Sequence, residues 1–450
     1  MPRILLTTRC RDTGLYDYFR ENAPCNFRWR FGMPRRISFG LRFLRQNIPG
    51  ISVLEYPTRS EYSALLRRGW DAVGFSFYLE ETNDILDMAQ EARAAGIPQL
   101  WAGNYGALTP SIQSEFDQVF SSYSEESLAQ LLHVPLDEIQ HPPLITEFRF
   151  PGGWGIPVGV LFSSRGCSFR CTFCQTTAFA PQPKPISLDS LDRVLHFYKQ
   201  CGIHFILMLD ENFGNIPSHA ESVIELLARH RFRWLVQSRV DLFLRNFEKW
   251  QAAGMEGCLF GIESFHQEIL KQMHKNGKVQ AAFELSERLN RAGLYAHGYY
   301  IIGLPSETPE SVAADLHTLA SLQLDVTQIT IVTPHPQTEM WRDLESNYGI
   351  FEKDWSKFDT KHLVWNHPHC APGVLEKLLE QGFRKCYEGG WLKRTMKKFV
   401  AKRWRERDLA GLVTGPLDAR LAAPHRLPLL PMRTPAAPTS IPESATAATA

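Results

Sequence analysis

Two stretches of strand–helix alternation, separated by a Pro-rich passage, predict an α/β chain with two successive parallel-sheet domains. Two observations carry this. The apolar runs are short and β-branched, with amphipathic helical sequence between consecutive runs, the pattern of parallel strands joined by right-handed crossovers. A cluster of cysteines also falls directly after the first strand of the second stretch, where a β/α barrel places reactive groups.

In the first stretch, RILLTT (Arg3 to Thr8) and SVLEY (Ser52 to Tyr56) read as strands, followed by helical sequence around Glu61 to Arg68. DAVGFSFY (Asp71 to Tyr78), a helix over Asn83 to Ala95, PQLWAG (Pro98 to Gly103), QVFSS (Gln118 to Ser122) and a helix from Glu125 complete a Rossmann-like domain over residues 1–135. The passage HVPLDEIQHPPLITEFRFPGGWGIP reads as an irregular linker, 136–157.

Alternation resumes at Gly159 with GVLFSS and a helix over Leu188 to Gln200. HFILMLDEN follows, then a helix around His219 to Arg229, then RWLVQSRV, GCLFGIES, AHGYYIIGLP and TQITIVTP. Six β/α units fit a partial (β/α)6 TIM-type barrel over 158–345. Helical sequence after Val374 marks a C-terminal extension, 346–415, and the Pro-, Ala-, Ser- and Thr-rich segment 416–450 reads as a disordered tail.

The 450 residues, 44% hydrophobic and 22% charged, suffice for two or three domains. A formal charge of +1 supplies no global attraction to polyanions, so nucleic acid is not an expected partner. No signal-peptide pattern opens the chain and no apolar run reaches the length of a membrane span. The expected location is a reducing cytoplasm, where clustered cysteines read as metal-binding or catalytic.

That cluster lies in SSRGCSFRCTFCQTT (Ser163 to Thr177), where Cys167, Cys171 and Cys174 follow C-x-x-x-C-x-x-C spacing. Thiolates hold iron–sulfur clusters, and three of them on a four-iron cluster leave one iron open to another ligand. Gly166 lets the loop turn tightly, and Arg165 and Arg170 are placed to offset thiolate charge. A structural zinc site completed by a distant histidine, such as His204 or His219, is the competing reading; the paired C-x-x-C units usual for zinc are absent.

This motif after the first strand of a β/α barrel resembles the radical S-adenosylmethionine (radical SAM) superfamily, and Phe173 matches an aromatic residue common there. By that resemblance Cys167, Cys171 and Cys174 bind a 4Fe-4S cluster whose open iron chelates S-adenosylmethionine, and reductive cleavage yields a 5′-deoxyadenosyl radical. Further segments match in order. LDENF offers Asp210, Glu211 and Asn212 as cofactor-binding residues, QSRVD offers Arg239, GIES offers Glu263 and Ser264, and YYIIGLPSET offers Ile302 and Gly303 near the adenine. TPHPQTEMW (Thr333 to Trp341) resembles the segment after the sixth strand. Singly, each is an ordinary strand end or turn; their order carries the resemblance.

Within the superfamily the chain looks most like the branch with an N-terminal cobalamin-binding-like domain. DAVGFSFY, a helix and LWAGNYGALTP resemble that domain's third and fourth strands, which places Ser76, Gly103 and Gly106 near a corrin or its nucleotide tail. Two departures stand out: TTRCRDTG replaces the D-x-H-x-x-G signature with its axial histidine, and AGNYG interrupts the expected paired glycine. Because members of the branch bind cobalamin without that histidine and some retain the domain without using cobalamin, the resemblance leaves cobalamin open. The plainer alternative is a domain kept for packing or as a lid.

The implied activity is modification of a small-molecule or lipid substrate, with a flavodoxin- or ferredoxin-type electron donor. Methyl transfer to carbon follows if cobalamin is bound. Radical rearrangement, ring formation, oxidation or aminocarboxypropyl transfer are the alternatives, and a non-catalytic metal or redox scaffold is the alternative of another class. Transfer-RNA methylthiolation is disfavoured, since Cys10 and Cys25 are too few for the extra cysteine-bearing domain. Finally, WLKRTMKKFVAKRWRER (Trp391 to Arg407) reads as a basic amphipathic helix. Packing its apolar face on the domain is the expectation, and peripheral membrane contact is the alternative.

Overall fold

The structure, a computed structural model, describes residues 2–11, 37–149, 155–405 and 429–430. Its first sheet contains β1 (Ile4–Thr7), β2 (Ile51–Leu54), β3 (Ala72–Ser76), β4 (Gln99–Gly103) and β5 (Gln118–Val119). All neighbours pair in parallel, in the order β2-β1-β3-β4-β5. The apolar run in β1 is explained by burial on both faces. Leu5 packs with the helices Arg59–Leu66 and Thr82–Ala94, while Ile4 and Leu6 face the other way, toward Leu41 and Leu128. Strand order reverses beside β1, and open sheets of this kind bind ligands at the carboxyl ends of the strands flanking such a switch.

The second sheet begins with β6 (Ile145–Arg149) and β7 (Gly155–Leu161), followed by a small ribbon of β8 (Ser164–Arg165) and β9 (Lys184–Pro185). It continues through β10 (Phe205–Met208), β11 (Arg233–Gln237), β12 (Met255–Glu263), β13 (Tyr295–Ile302) and β14 (Val326–Ile331). The order is β14-β13-β12-β11-β10-β7-β6, with edges at β14 and β6 that do not meet, so the sheet is an open half-barrel. Six strands are parallel, and the amphipathic helices between them fill a core that includes Leu191, Val223, Phe243 and Leu285.

Three features depart from the sequence reading. The first is β6, which lies in the passage read as irregular linker and pairs antiparallel with β7. Flanking prolines disguise it, and an edge strand tolerates such neighbours. The second is the helix Phe39–Asn47, in which Arg42 and Arg45 interrupt the apolar pattern. Arg42 is buried because its guanidinium meets Glu55 at 2.8 Å. The third is the C-terminal extension, which breaks into helices Val374–Tyr387 and Trp391–Arg405 at Gly389 and Gly390, both with positive φ. The tail prediction, apart from Leu429 and Leu430, lies outside the described residues.

The last helix begins as expected, with Trp391 buried and Leu392 packed on the core, but its later turns reverse the expected polarity. Its basic side chains go inward: Lys398 pairs with Asp325, and Lys402 and Arg403 pair with Glu256. Met396, Val400 and Trp404 stay exposed, Trp404 at 71%. Asp325 and Glu256 are shielded carboxylates on the barrel, and a shielded charge needs a partner more than an apolar face needs cover. Replacing Glu256 with Ala removes the carboxylate that Lys402 and Arg403 share. A loss on the order of 3–5 kcal/mol is expected in the docking of this helix. Limited proteolysis should then cut near Gly389–Gly390 in Glu256→Ala and not in the parent protein.

Candidate functional site

The cysteine loop leaves β7 and is braced from below by Asp210, just past β10. The Asp210 carboxylate is buried and accepts four hydrogen bonds, from Ser163 N (2.7 Å), Ser163 Oγ (2.6 Å), Ser164 N (2.9 Å) and Ser164 Oγ (2.7 Å). Burial raises its pKa to about 6 despite these donors. Asp210, expected among cofactor-binding residues, therefore serves the loop: both oxygens are taken by the serines.

Gly166 follows at φ +92°, where a Cβ would meet the carbonyl oxygens of Gln182 (2.6 Å) and Ala180 (2.8 Å). Glycine is required on both counts. Cys167 N donates to Ala180 O at 3.0 Å and Cys174 N to Cys171 O at 3.1 Å. The thiols of Cys167, Cys171 and Cys174 are half-buried and free. Burial pushes Cys167 up to about 11 and raises Cys171, so ligation must displace protons.

The compensating charge near the thiols differs from the sequence expectation. Arg165 points away, pairing with Glu125 at 2.7 Å and stacking on Phe43 and Tyr123. Lys275 and Arg239 instead act on Cys171, both lowering its pKa against the effect of burial. Lys275 pairs with Glu263 at 2.6 Å and lies 5.9 Å from the centre of the Phe173 ring. Glu263 sits at φ +63°, beside a register shift between β12 and β13, a strained conformation of the kind that clusters at functional sites. Arg239 donates to Asp241 and to Lys275 O, and its guanidinium covers Phe169 at 4.1 Å. The structure thus gathers Cys171, Phe173, Arg239 and Glu263 around a lysine that sequence reading missed, because MHKNGK carries no pattern marking it.

Asn212 Oδ1 accepts from Arg239 N at 3.0 Å. Asn212 Nδ2 and Arg239 Nη1 are buried and have no partner among the described residues. Two orphaned donors beside the loop are what a site built for an acceptor-rich ligand would leave. Glu211 accepts from Gly166 N at 2.8 Å and from the Tyr123 hydroxyl. Ser264 is buried, its Oγ accepting from His266 N at 3.1 Å. Ile302 is buried, and Gly303 turns at φ +80° with its N–H on Glu307 Oε2 at 2.7 Å.

Among the described residues no three His, Cys, Asp or Glu side chains converge on one metal-ion position. The two histidines considered for zinc are committed elsewhere: His219 bonds Ser163 O at 3.0 Å and His204 lies beside Lys199. Three thiols on one loop, next to cations and orphaned donors, are the residues that would hold an iron–sulfur cluster.

Glu211 also lines a cavity of about 850 Å³ between the two sheets. Ser76 and Gly103 line it from the carboxyl ends of β3 and β4, and Leu207, Leu235, Leu259 and Tyr299 line it from the half-barrel. A Cβ at Gly103 would meet nothing closer than 3.9 Å, leaving room for a ligand. Gly106 is buried instead; a Cβ there would strike the Phe77 ring at 2.2 Å, so it permits packing and does not line the cavity. The residues present fit a large ligand at Ser76 and Gly103.

Residues 161–319 match the family model of the Radical SAM superfamily. The chain is 31% identical over 242 residues to an uncharacterized methyltransferase of Pyrococcus horikoshii, covering 52% of each protein, so it spans about half that relative's length. It is 23% identical over 356 residues to bacteriochlorophyllide d C-8(2)-methyltransferase of Chlorobaculum tepidum, covering 71% of this chain and 78% of the relative. Its fold is similar to that of a radical S-adenosylmethionine methyltransferase, TsrM from Kitasatospora setae, solved with cobalamin and a [4Fe-4S] cluster bound. That match has a TM-score of 0.58 and 16% identity over 77% of this chain and 78% of that one.

Glu307 generates a pH prediction. Burial raises its pKa from 4.5 to about 7 while Gly303 and Leu304 donate to it. The stability linked to this raised pKa is fully present below the unfolded value of 4.5 and is lost as pH rises through 7. The parent protein should therefore lose stability between pH 5 and pH 8. Glu307→Gln, which keeps an acceptor and cannot ionise, should lose less, by on the order of 1–3 kcal/mol. Denaturant titrations of both proteins at the two pH values measure the difference.

Proposed function

We propose that this chain, a radical S-adenosylmethionine superfamily protein through its domain at 161–319, is an enzyme that modifies carbon in a small-molecule or lipid substrate, by methyl transfer when cobalamin is bound. The observation that carries the reading is the glycine-cradled loop of Cys167, Cys171 and Cys174, whose neighbour Glu211 opens onto the cavity that Ser76 and Gly103 also line. Methyl transfer is favoured over rearrangement, oxidation and aminocarboxypropyl transfer because the relatives matching 52% and 71% of this chain are named as methyltransferases; ring formation is the second reading, since a relative matching 52% of it is named as a cyclase.

A 4Fe-4S cluster held by the three cysteines supplies, when bound, the electron for reductive cleavage of S-adenosylmethionine. Cobalamin at Ser76 and Gly103 supplies a methyl carrier. The chain's own residues do the rest. Asp210 and Gly166 hold the loop in shape. Lys275 and Arg239 counter the negative charge that deprotonated thiols bring. Glu211 offers a carboxylate to an ammonium group, and Asn212 and Arg239 offer donors to a carboxylate or ribose.

A flavodoxin- or ferredoxin-type donor is the electron source this reading requires. Among the described residues no helix is long and apolar enough to cross a membrane. The exposed row of Met396, Val400 and Trp404 next to Lys393 and Lys397 supports peripheral contact with a lipid surface, consistent with a lipid substrate.

Anaerobic reconstitution with iron and sulfide, with and without hydroxocobalamin, tests the reading. Reduced protein incubated with S-adenosylmethionine should yield 5′-deoxyadenosine, and a Cys171→Ala variant should yield none. Retained cobalamin supports methyl transfer, while methylthioadenosine indicates the aminocarboxypropyl route. An intact cluster that neither binds nor cleaves S-adenosylmethionine sinks the proposal.

A further inference from the structure

Tyr123 follows β5 in the first domain, yet its hydrogen bond is made to the second. Its hydroxyl donates to Glu211 Oε1, and the other Glu211 oxygen accepts from Gly166 N at 2.8 Å. One phenol of the first domain therefore fixes a carboxylate of the half-barrel and, through it, the Arg165–Gly166 peptide just ahead of Cys167. The ring is held on two further sides. The Arg165 guanidinium lies 4.2 Å over its face, and Phe179 stands edge-on at 5.2 Å. With its ring clamped, the phenol is a rigid donor, whereas Glu211 lies in a loop outside helix and strand.

We propose that Tyr123 is a positioning residue for S-adenosylmethionine, setting the orientation of Glu211 and of the Arg165–Gly166 peptide before the cofactor arrives. This rests on the radical S-adenosylmethionine reading and deepens it by assigning the first domain a role in cofactor binding that is independent of cobalamin. A carboxylate already oriented binds an ammonium group without first losing rotamer freedom, and a charge-assisted hydrogen bond is what orients it.

The test uses full-length protein, reconstituted anaerobically. Tyr123→Phe keeps the ring against Arg165 and Phe179 and removes only the hydroxyl. Iron and sulfide content and unfolding temperature should match the parent, while the Kd for S-adenosylmethionine rises by roughly tenfold, the effect of losing about 1.4 kcal/mol. The electron paramagnetic resonance change that S-adenosylmethionine induces in the reduced cluster should shrink with it. Tyr105→Phe is the control, because it removes a hydroxyl of the same inter-domain contact that bonds Thr176 Oγ1 and not Glu211; its Kd should stay at the parent value. An unchanged Kd and spectrum in Tyr123→Phe overturns the inference. Equal weakening in Tyr105→Phe also overturns it, since the contact as a whole would then be responsible. Failure of the parent protein itself, with an intact cluster, to bind S-adenosylmethionine would reject the underlying functional reading instead.

Discussion

The buried ion pair of Arg165 and Glu125 is the constraint on which the site's geometry rests. Its side chains are 6% and 2% exposed, and Phe43 and Tyr123 cover the guanidinium. A pair so dehydrated contributes little net stability compared with an apolar substitute, yet losing either partner strands a charge in a dry place. Its value is geometric. Glu125 opens a helix of the first domain and Arg165 immediately precedes Gly166, so the pair fixes the start of the cysteine loop against the other sheet. The bond from Tyr123 and the packing of Phe179 against Tyr105 presuppose that alignment.

Much of the architecture was legible because strand burial and helix amphipathicity leave local traces. The helix Leu188–Gln200 appears with the bounds its pattern predicts, and the parallel strands fall within or beside their apolar runs. The cysteine motif was equally plain. Roles that depend on tertiary partners were not. Asp210 looks from sequence like a ligand and is consumed by Ser163 and Ser164. Arg165 looks like a counter-charge for thiolates and turns to Glu125. Lys275 carries no pattern at all, and its position is fixed by Glu263 across a distorted strand end.

The last helix shows the same limit at larger scale. Periodicity identifies a two-faced helix but not which face turns inward when the receiving surface is charged. Asp325 and Glu256 settle that choice in the later turns, and Met396, Val400 and Trp404 are left outside as a consequence.

The shared cavity has an implication for how such a protein diversifies. Its shape is set by two sheets, but the brace beneath the cysteines, Asp210 with Ser163 and Ser164, belongs wholly to one. Within the first domain Tyr123 and Glu125 hold the loop's approach, through Glu211 and Arg165. The opposite wall at Leu235, Leu259 and Tyr299 carries neither that brace nor the residues proposed to hold cobalamin. Heritable change can therefore accumulate there, redrawing which molecules are admitted while the reactive loop is inherited intact.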